Sequence, residues 1–209
     1  MSKKLIITIA RQYGSGGREI GERIAELLGI PLYDKEIIND AAANGDLHLE
    51  TVKRVDEVAA NSLLYTLAMG SNVFGSAMSF GYKMPINDKL FLLQSNVIRS
   101  YAEQGSCVII GRCADYVLRE EPNLFRIFIH GDLEHRKERV AKRHPELKPS
   151  GVIDAINKTD RRRSSYYNFY TGNKWGKFEY YDLIVNSSTL GIEESARMIA
   201  SCAKELMQD

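Results

Sequence analysis

Residues 7–29 read ITIARQYGSGGREIGERIAELLG and carry three structural signals in a fixed order. The apolar run up to Ala10 has the composition of a buried strand. Glycines then follow at positions 14, 16 and 17. The segment after them has apolar side chains at helical spacing, at Ile20, Ile24, Leu27 and Leu28. Gly29 ends that helix. The stretch therefore predicts a strand, a glycine-rich turn and a helix with one apolar face.

A glycine-rich turn between a strand and a helix suits an anion, and phosphate is the expected one. Backbone N–H groups of the turn converge on the anion, and the N-terminus of the helix adds a positive field. A Walker A loop, G-x-x-x-x-G-K-[ST], also supplies a lysine for the β- and γ-phosphates and a hydroxyl for Mg²⁺. Both are altered here, because Gly17, Arg18 and Glu19 follow Gly16. A turn that only joins strand to helix is the alternative.

This loop resembles that of the cytidylate kinase-like branch of the nucleoside monophosphate kinases, which reads G-P-S-G-S-G-K-G after a strand. Matching the strand ends places Gly17 on the lysine, whereas a slip of one residue would place Arg18 there. The resemblance implies that ATP binds here with Mg²⁺. The nucleotide-binding residues that it implies are Gly14, Ser15, Gly16, Gly17, Arg18 and Glu19. Arg18 is also the implied catalytic cation, and Glu19 stands near the usual Mg²⁺ hydroxyl.

Five apolar runs predict strands, at residues 5–10, 30–33, 107–110, 125–129 and 183–186. Helical patterns separate them, and such an alternation is typical of a mostly parallel sheet covered on both faces. We therefore predict an α/β fold of the P-loop NTPase type, with three layers, a mostly parallel five-stranded sheet and a helical lid. We expect a single domain over residues 1–209, with a substrate-side helical insertion at about 35–104 and a basic lid at about 132–165.

Two strand ends carry residues that resemble the family's acceptor site. Asp34 ends the second strand, as an aspartate does in the family, although Lys35-Glu36 replaces the threonine-glycine motif that follows there. Asp34 would hydrogen-bond a substrate ribose or hold a neighbouring arginine, and a solvated carboxylate is the alternative. Arg112 resembles the arginine that reaches the acceptor nucleotide, since carboxyl ends of parallel strands face the ligand crevice. A structural ion pair is the alternative for Arg112.

Positive charge is concentrated between residues 134 and 163, where ten Lys or Arg residues stand against five Asp or Glu residues. Arg136, Arg139 and Arg143 recur at helical spacing, so at least two of them share a face. The segment resembles the basic helical hairpin that folds over the phosphates in the monophosphate kinases. The resemblance implies catalytic roles for Arg139, Arg143 and Arg163 and a substrate-binding role for Asp160. A solvated, charged helical surface is the alternative.

Net charge and cysteine usage narrow the class of protein further. A formal charge of +1 argues against a surface built to hold nucleic acid. The three cysteines show neither metal-ligand spacing nor a paired framework, which favours reduced thiols, no metal cluster and a cytoplasmic location.

Residues 58–82 contain no charged residue, but their glycines and polar side chains argue against a membrane span. We interpret that segment as a substrate cover or a subunit contact, which makes a homo-oligomer a hypothesis.

The residues and the resemblance together predict a nucleotide-binding phosphotransferase. The expected reaction transfers the γ-phosphoryl group of ATP to a nucleoside monophosphate, with CMP as the first choice by resemblance, or to a related small acceptor. The alternative is a sensor or regulatory module that kept the fold and lost transfer, which the missing lysine would explain. Binding of single-stranded nucleic acid through the basic segment and its aromatic neighbours is a third and less favoured hypothesis.

Overall fold

The computed structural model describes residues 3–45 and 85–208. Its elements in chain order are β1 (Ile6–Arg11), α1 (Gly17–Leu28), β2 (Leu32–Tyr33), α2 (Glu36–Asn44), α3 (Ile86–Gln104), β3 (Cys107–Ile110), α4 (Ala114–Val117), β4 (Leu124–His130), α5 (Leu133–Arg143), α6 (Pro149–Thr171), β5 (Leu183–Asn186) and α7 (Ser187–Leu206). A single turn of 3₁₀ helix at Phe178–Tyr180 precedes β5. We refer to α5 and α6 as the lid helices.

The five strands form one sheet in the order β2-β3-β1-β4-β5, and every neighbouring pair is parallel. β1 lies in the centre, with Ile6 opposite Cys107 of β3 on one side and opposite Leu124 of β4 on the other. All strands therefore end at the same edge of the sheet, where the segments after β1, β3 and β4 meet. The predicted five-stranded parallel sheet is confirmed.

Helices cover both faces of the sheet, because the strands are apolar on both sides. Ile7 and Ile9 of β1 belong to a buried cluster with residues of α1 and α7. Ile6 belongs to a second cluster, in which Ile37 of α2 and Val97 of α3 also lie. The two clusters on opposite faces of one sheet give the three layers that the sequence predicts.

The last helix begins earlier than the predicted start at Ile192. It starts at Ser187, because the side chain of Asn186 caps it by accepting a hydrogen bond from the N–H of Ser188 at 3.0 Å. The helix is then interrupted at Gly191, where φ is 76° and ψ is 175°. A short turn after β5 therefore precedes the long amphipathic helix.

Residues 46–84 lie outside the described part of the chain. They hold much of the predicted insertion at about 35–104 and the whole uncharged segment 58–82. The interpretation of that segment, and the homo-oligomer that it suggests, therefore stay predictions. Within residues 3–45 and 85–208, no helix has both the length and the apolar character needed to cross a membrane.

The helix after the glycine loop approaches the sheet most closely at Gly21, which is buried. A Cβ atom at Gly21 would stand 2.6 Å from Cδ1 of Ile110 and 3.2 Å from Cδ1 of Ile9, and both isoleucines are fully buried. This close approach sets the height of α1 above the strands, and with it the position of the loop that precedes α1.

We expect Gly21→Ala to lower the free energy of unfolding by about 1–3 kcal/mol, since the added methyl group overpacks the contact between α1 and the sheet. Gly151→Ala in α6 is the matched control, because a Cβ atom there would stand 3.7 Å from the nearest atom of Leu147. Helix propensity should make that variant neutral or more stable by up to about 1 kcal/mol. Urea unfolding measures both, and equal stabilities would contradict the expectation.

Candidate functional site

The loop between β1 and α1 has the backbone shape of an anion-binding turn. Gly14 and Gly16 have φ values of 82° and 78°, which residues with a side chain rarely adopt. Ser15 between them is buried, and its hydroxyl donates to the carbonyl oxygen of Gln12 at 2.9 Å. Gly16 caps the N-terminus of α1. The first N–H groups of the helix have no partner within the helix and are therefore available to an anion.

The two lid helices hold the backbone at the start of this loop. The carboxylate of Asp160 accepts a hydrogen bond from the N–H of Tyr13 at 2.7 Å and also pairs with the guanidinium of Arg136. Arg136 is buried, and its Nε donates to the carbonyl oxygen of Tyr13 at 2.8 Å. Arg163 donates to the carbonyl oxygen of Arg11 at 2.9 Å. The loop and the lid helices therefore form one connected unit.

Two of the predicted lid arginines reach the first turn of α1. The Nη2 atoms of Arg139 and Arg143 stand 2.6 Å and 2.9 Å from the two carboxylate oxygens of Glu19. Arg139 also lies beside Gly16, and its buried Nε has no hydrogen-bond partner among the residues described. The structure thus brings these arginines to the loop, where a carboxylate of the same chain engages them.

Arg18, the predicted cation of the loop, extends toward Glu22 one helical turn further along α1. Its Nε stands 3.0 Å from the Glu22 carboxylate and 3.4 Å from that of Asp34. The side chain of Arg18 is 47% exposed, whereas that of Asp34 is 10% exposed. Asp34 thus lies beside a neighbouring arginine, which is one of the roles that the sequence leaves open for it, and a role toward a substrate stays a prediction.

Arg112 lies directly after β3 in a backbone conformation that few residues adopt. Gly111, Arg112 and Cys113 have φ values of 72°, 56° and 55°. Left-handed backbone costs energy in residues other than glycine, and it is concentrated at functional sites. Burial lowers the pKa of Arg112, and the nearby Tyr166 and Asp34 act in the opposite direction. The negative charge of Asp34 therefore acts on the Arg112 guanidinium.

Arg11 at the end of β1 completes this group, although no role was predicted for it from the sequence. Burial and the positive charges of Arg163, Arg112 and Arg18 lower the pKa of Arg11 to about 9, while Asp34 raises it. Arginine keeps its proton in proteins, so the lowered pKa means that the cation is destabilised and short of negative charge. We call Arg11, Arg18, Arg112 and Arg163 the arginine cluster. The sequence does contain a signal for Arg11. Gly17 stands where the Walker A lysine is expected, and an arginine, Arg11, ends the strand before the loop.

A partly buried polar pair from α3 and α6 lies beside Arg112. Gln94 is buried, and its Oε1 accepts a hydrogen bond from the hydroxyl of Tyr166 at 3.2 Å. The Nε2 of Gln94 has no hydrogen-bond partner within the described ranges. Burial raises the pKa of Tyr166 well above its usual value, so the hydroxyl stays protonated at neutral pH. Since an unpartnered buried amide is costly, this pair suits a polar ligand.

The residues of the site fit phosphates better than they fit a resident metal ion. In the part of the chain that the structure describes, no group of three or more histidine, cysteine, aspartate or glutamate side chains is arranged to hold a metal. The carboxylate oxygens of Glu19 already face Arg139 and Arg143. Mg²⁺ commonly binds substrate phosphates with one or two protein ligands only. The donor set therefore fits Mg²⁺ that arrives with its nucleotide.

Solved structures with the same fold include kinases of small molecules. An uncharacterized protein from Eubacterium ventriosum is 28% identical, with a TM-score of 0.69 over 96% of this chain and 98% of that one. Shikimate kinase from Bacteroides thetaiotaomicron is 13% identical, with a TM-score of 0.55 over 96% of this chain and 98% of its own. A gluconokinase from Sinorhizobium meliloti is 17% identical, with a TM-score of 0.51 over 100% and 96%. The likeness to these two kinases shows the fold alone.

A search of curated proteins gave no match to the chain. The model of the cytidylate kinase-like family matches residues 6–189, a span that contains the glycine loop, both lid helices and all five strands. The resemblance that the sequence analysis drew from the loop, the strand ends and the lid is confirmed, and the chain belongs to the cytidylate kinase-like family.

Proposed function

We propose that the protein binds MgATP at the glycine loop and transfers the γ-phosphoryl group to a nucleoside monophosphate or a related small acceptor. The arginine cluster is the observation that carries this proposal. The guanidiniums of Arg163, Arg112 and Arg18 act on that of Arg11 beside the glycine loop, and Asp34 is the carboxylate whose charge offsets them there. An excess of positive charge next to the N-terminus of a helix is a strong site for a polyphosphate.

The donor phosphates would lie against the backbone N–H groups between Gly14 and Gly17. Arg139 and Arg143 of α5 would contact them from the lid, since both already reach the first turn of α1. A bound phosphate would compete for these arginines with the carboxylate of Glu19. Family membership supports ATP as the donor, because kinases of this type use ATP with Mg²⁺.

In the proposed reaction the bond from the γ-phosphorus to the bridging oxygen of ATP breaks, and a bond from an acceptor oxygen to that phosphorus forms. The transition state spreads negative charge over the phosphoryl oxygens, so positioning and nearby cations provide most of the catalysis. We assign this charge stabilisation to Arg18, Arg139, Arg143 and Arg163. Because side chains have little covalent chemistry to perform, a loop without lysine remains compatible with transfer.

The acceptor would lie on the side of Asp34 and Arg112, with its own phosphate on the guanidinium of Arg112. The Nε2 of Gln94, which has no partner among the described residues, supports a polar group of the acceptor nearby. We infer that Asp160 acts on the substrate through the loop and the lid, because its two oxygens already pair with Tyr13 and Arg136. CMP is the first acceptor to test, on the basis of the family.

The alternative function is a nucleotide-binding regulatory module with the same fold and no transfer. The pairing of Arg139 and Arg143 with Glu19 favours it, because these charges are offset in the structure as it stands. Cys107, Cys113 and Cys202 are unpaired thiols, which supports a reducing compartment such as the cytoplasm for either function.

We expect the purified protein to release ADP from ATP and Mg²⁺ in the presence of a nucleoside monophosphate, CMP first, and not in its absence. An Arg112→Gln variant should raise the KM for the acceptor about tenfold or more, since it removes a charge-assisted contact to the acceptor phosphate. Its KM for ATP should change little. A coupled assay of ADP over a panel of monophosphates measures this. Saturable ATP binding without ADP release for any acceptor would favour the regulatory module.

We expect Glu19→Gln to tighten the binding of ATP by about 2- to 10-fold, because it frees two arginines from partly exposed ion pairs and removes a negative charge near the phosphates. Glu26→Gln is the matched control, since Glu26 lies on the same helix and pairs with Arg23. That control should bind as the unmodified protein does. Isothermal titration calorimetry measures both variants. Weaker binding by Glu19→Gln would show instead that Glu19 contributes directly to nucleotide or Mg²⁺ binding.

A further inference from the structure

We infer that Arg11 supplies the positive charge that the Walker A lysine supplies in other P-loop proteins, reaching the phosphates from the end of β1. Gly17 is then glycine because the side chain of Arg11 occupies the space in which a lysine at position 17 would begin. The inference rests on the proposed binding of phosphates at the loop, and it identifies the side chain that replaces the missing lysine.

The first observation is steric. A Cβ atom at Gly17 would stand 2.5 Å from Cβ of Arg11, 2.9 Å from its Cγ and 3.3 Å from Cβ of Ile129. The two Arg11 atoms belong to the base of its side chain, which cannot swing aside as the end of a long side chain can. A side chain at position 17 and an arginine at position 11 therefore exclude each other in this backbone. One position or the other can deliver a cation to the loop.

The second observation is the course of the Arg11 side chain. It leaves β1 across the N-terminus of α1 at Gly17, and its Nη1 lies against the position that a Cβ atom of Gly111 would take. Gly111 follows β3, the neighbour of β1 in the sheet. Two glycines thus flank the side chain, and its guanidinium lies between the carboxyl ends of two adjacent parallel strands, where such sheets bind ligands.

The third observation is the state of the guanidinium. Its neighbours Arg163, Arg112 and Arg18 repel it, and no hydrogen bond joins it to any residue that the structure describes. The contact with Arg163 uses the backbone carbonyl of Arg11, so none of the five N–H donors of the side chain has a partner among the described residues. A guanidinium in these surroundings needs an anion, and a phosphate can accept two of its N–H groups at once.

Arg18 is the rival for this role, and its contacts differ. It extends along α1 to Glu22 and sideways to Asp34, so its charge already has two carboxylate partners. Its side chain is also about half exposed to solvent, where a charge contributes less to binding. The geometry therefore favours Arg11 over Arg18 as the lysine's replacement.

The test measures the binding of inorganic tripolyphosphate by isothermal titration calorimetry, which needs neither a nucleoside nor turnover. Arg11→Gln should weaken binding by about 10- to 150-fold, the range for losing a charge-assisted hydrogen bond. Arg18→Gln should weaken it less. Arg23→Gln removes the same charge from an exposed face of α1 and should bind as the unmodified protein does. Arg11→Lys should retain more affinity than Arg11→Gln, and circular dichroism with thermal unfolding verifies that each variant folds.

An exchange of the two positions provides a second measurement. Arg11→Gly alone should lose affinity for tripolyphosphate. The double variant Arg11→Gly with Gly17→Lys should bind tripolyphosphate at least about tenfold more tightly than Arg11→Gly, because a lysine at the conventional position restores the charge. Gly17→Lys alone should lower the thermal stability, since the lysine and Arg11 then compete for one space. A double variant that binds tripolyphosphate no more tightly than Arg11→Gly would overturn the inference.

The outcomes separate this inference from the proposed function. If Arg11→Gln binds tripolyphosphate as well as the unmodified protein, or Arg18→Gln loses as much as Arg11→Gln, the inference is wrong even if the protein transfers phosphate. If the unmodified protein does not bind tripolyphosphate at all, the inference is wrong as well. If Arg11→Gln loses binding while no acceptor supports release of ADP, the inference holds and the proposed transfer fails.

Discussion

The carboxylate of Asp160 makes the contact on which the geometry of the site depends. It comes from α6, yet it accepts the N–H of Tyr13 at the start of the glycine loop and pairs with Arg136 of α5. A largely buried carboxylate is costly without such partners, so this arrangement strongly favours one relative position of the three segments. Because Asp160 ties the lid helices to the loop, Arg139 and Arg163 are delivered to the place where phosphates are expected.

The arginine cluster opposes the stability that the rest of the molecule provides. Like charges close together raise the free energy of the folded state, and burial of Arg11, Arg112 and Arg163 adds a desolvation cost. Two residues after β3 also adopt left-handed backbone. The three-layer core sustains these local costs because it buries the apolar central strands on both faces. Such a conflict between local strain and global stability is expected where a protein binds a charged ligand.

The sequence was sufficient for the fold, because the signals for it are local. The strands Cys107–Ile110 and Leu183–Asn186 were predicted with their observed bounds, since each is a short apolar run between turns. The glycine loop and the concentration of positive charge after β4 were also recognisable from composition and spacing, whereas the interpretation of that charged segment as a lid came from the family resemblance. Arg11 escaped notice because its importance depends on the missing side chains of Gly17 and Gly111. The latter is a hundred positions away in the sequence.

Asp160 illustrates the same limit. Its resemblance to a family aspartate implies a role at the substrate, which stays a prediction, and the structure adds a hydrogen bond from a backbone N–H that is 147 positions away. Spacing along one chain does not reveal such pairs. The pairing of Glu19 with Arg139 and Arg143 is equally non-local. The charged residues around the glycine loop could therefore be predicted from the sequence, but not which of them hold one another.

The order of the strands has a consequence for how the chain acquires its structure. β1 precedes both of its partners by about a hundred residues, with Ile6 opposite Cys107 and Leu124. Closing so large a loop costs entropy before any contact is made, which slows folding. During synthesis β1 therefore cannot pair until β3 and β4 have been made. The glycine loop cannot take its final structure until α5 and α6, which hold it, have also been made. The glycine loop therefore precedes, by about a hundred residues, the strands that its own strand needs, and it is among the last segments to take its final structure.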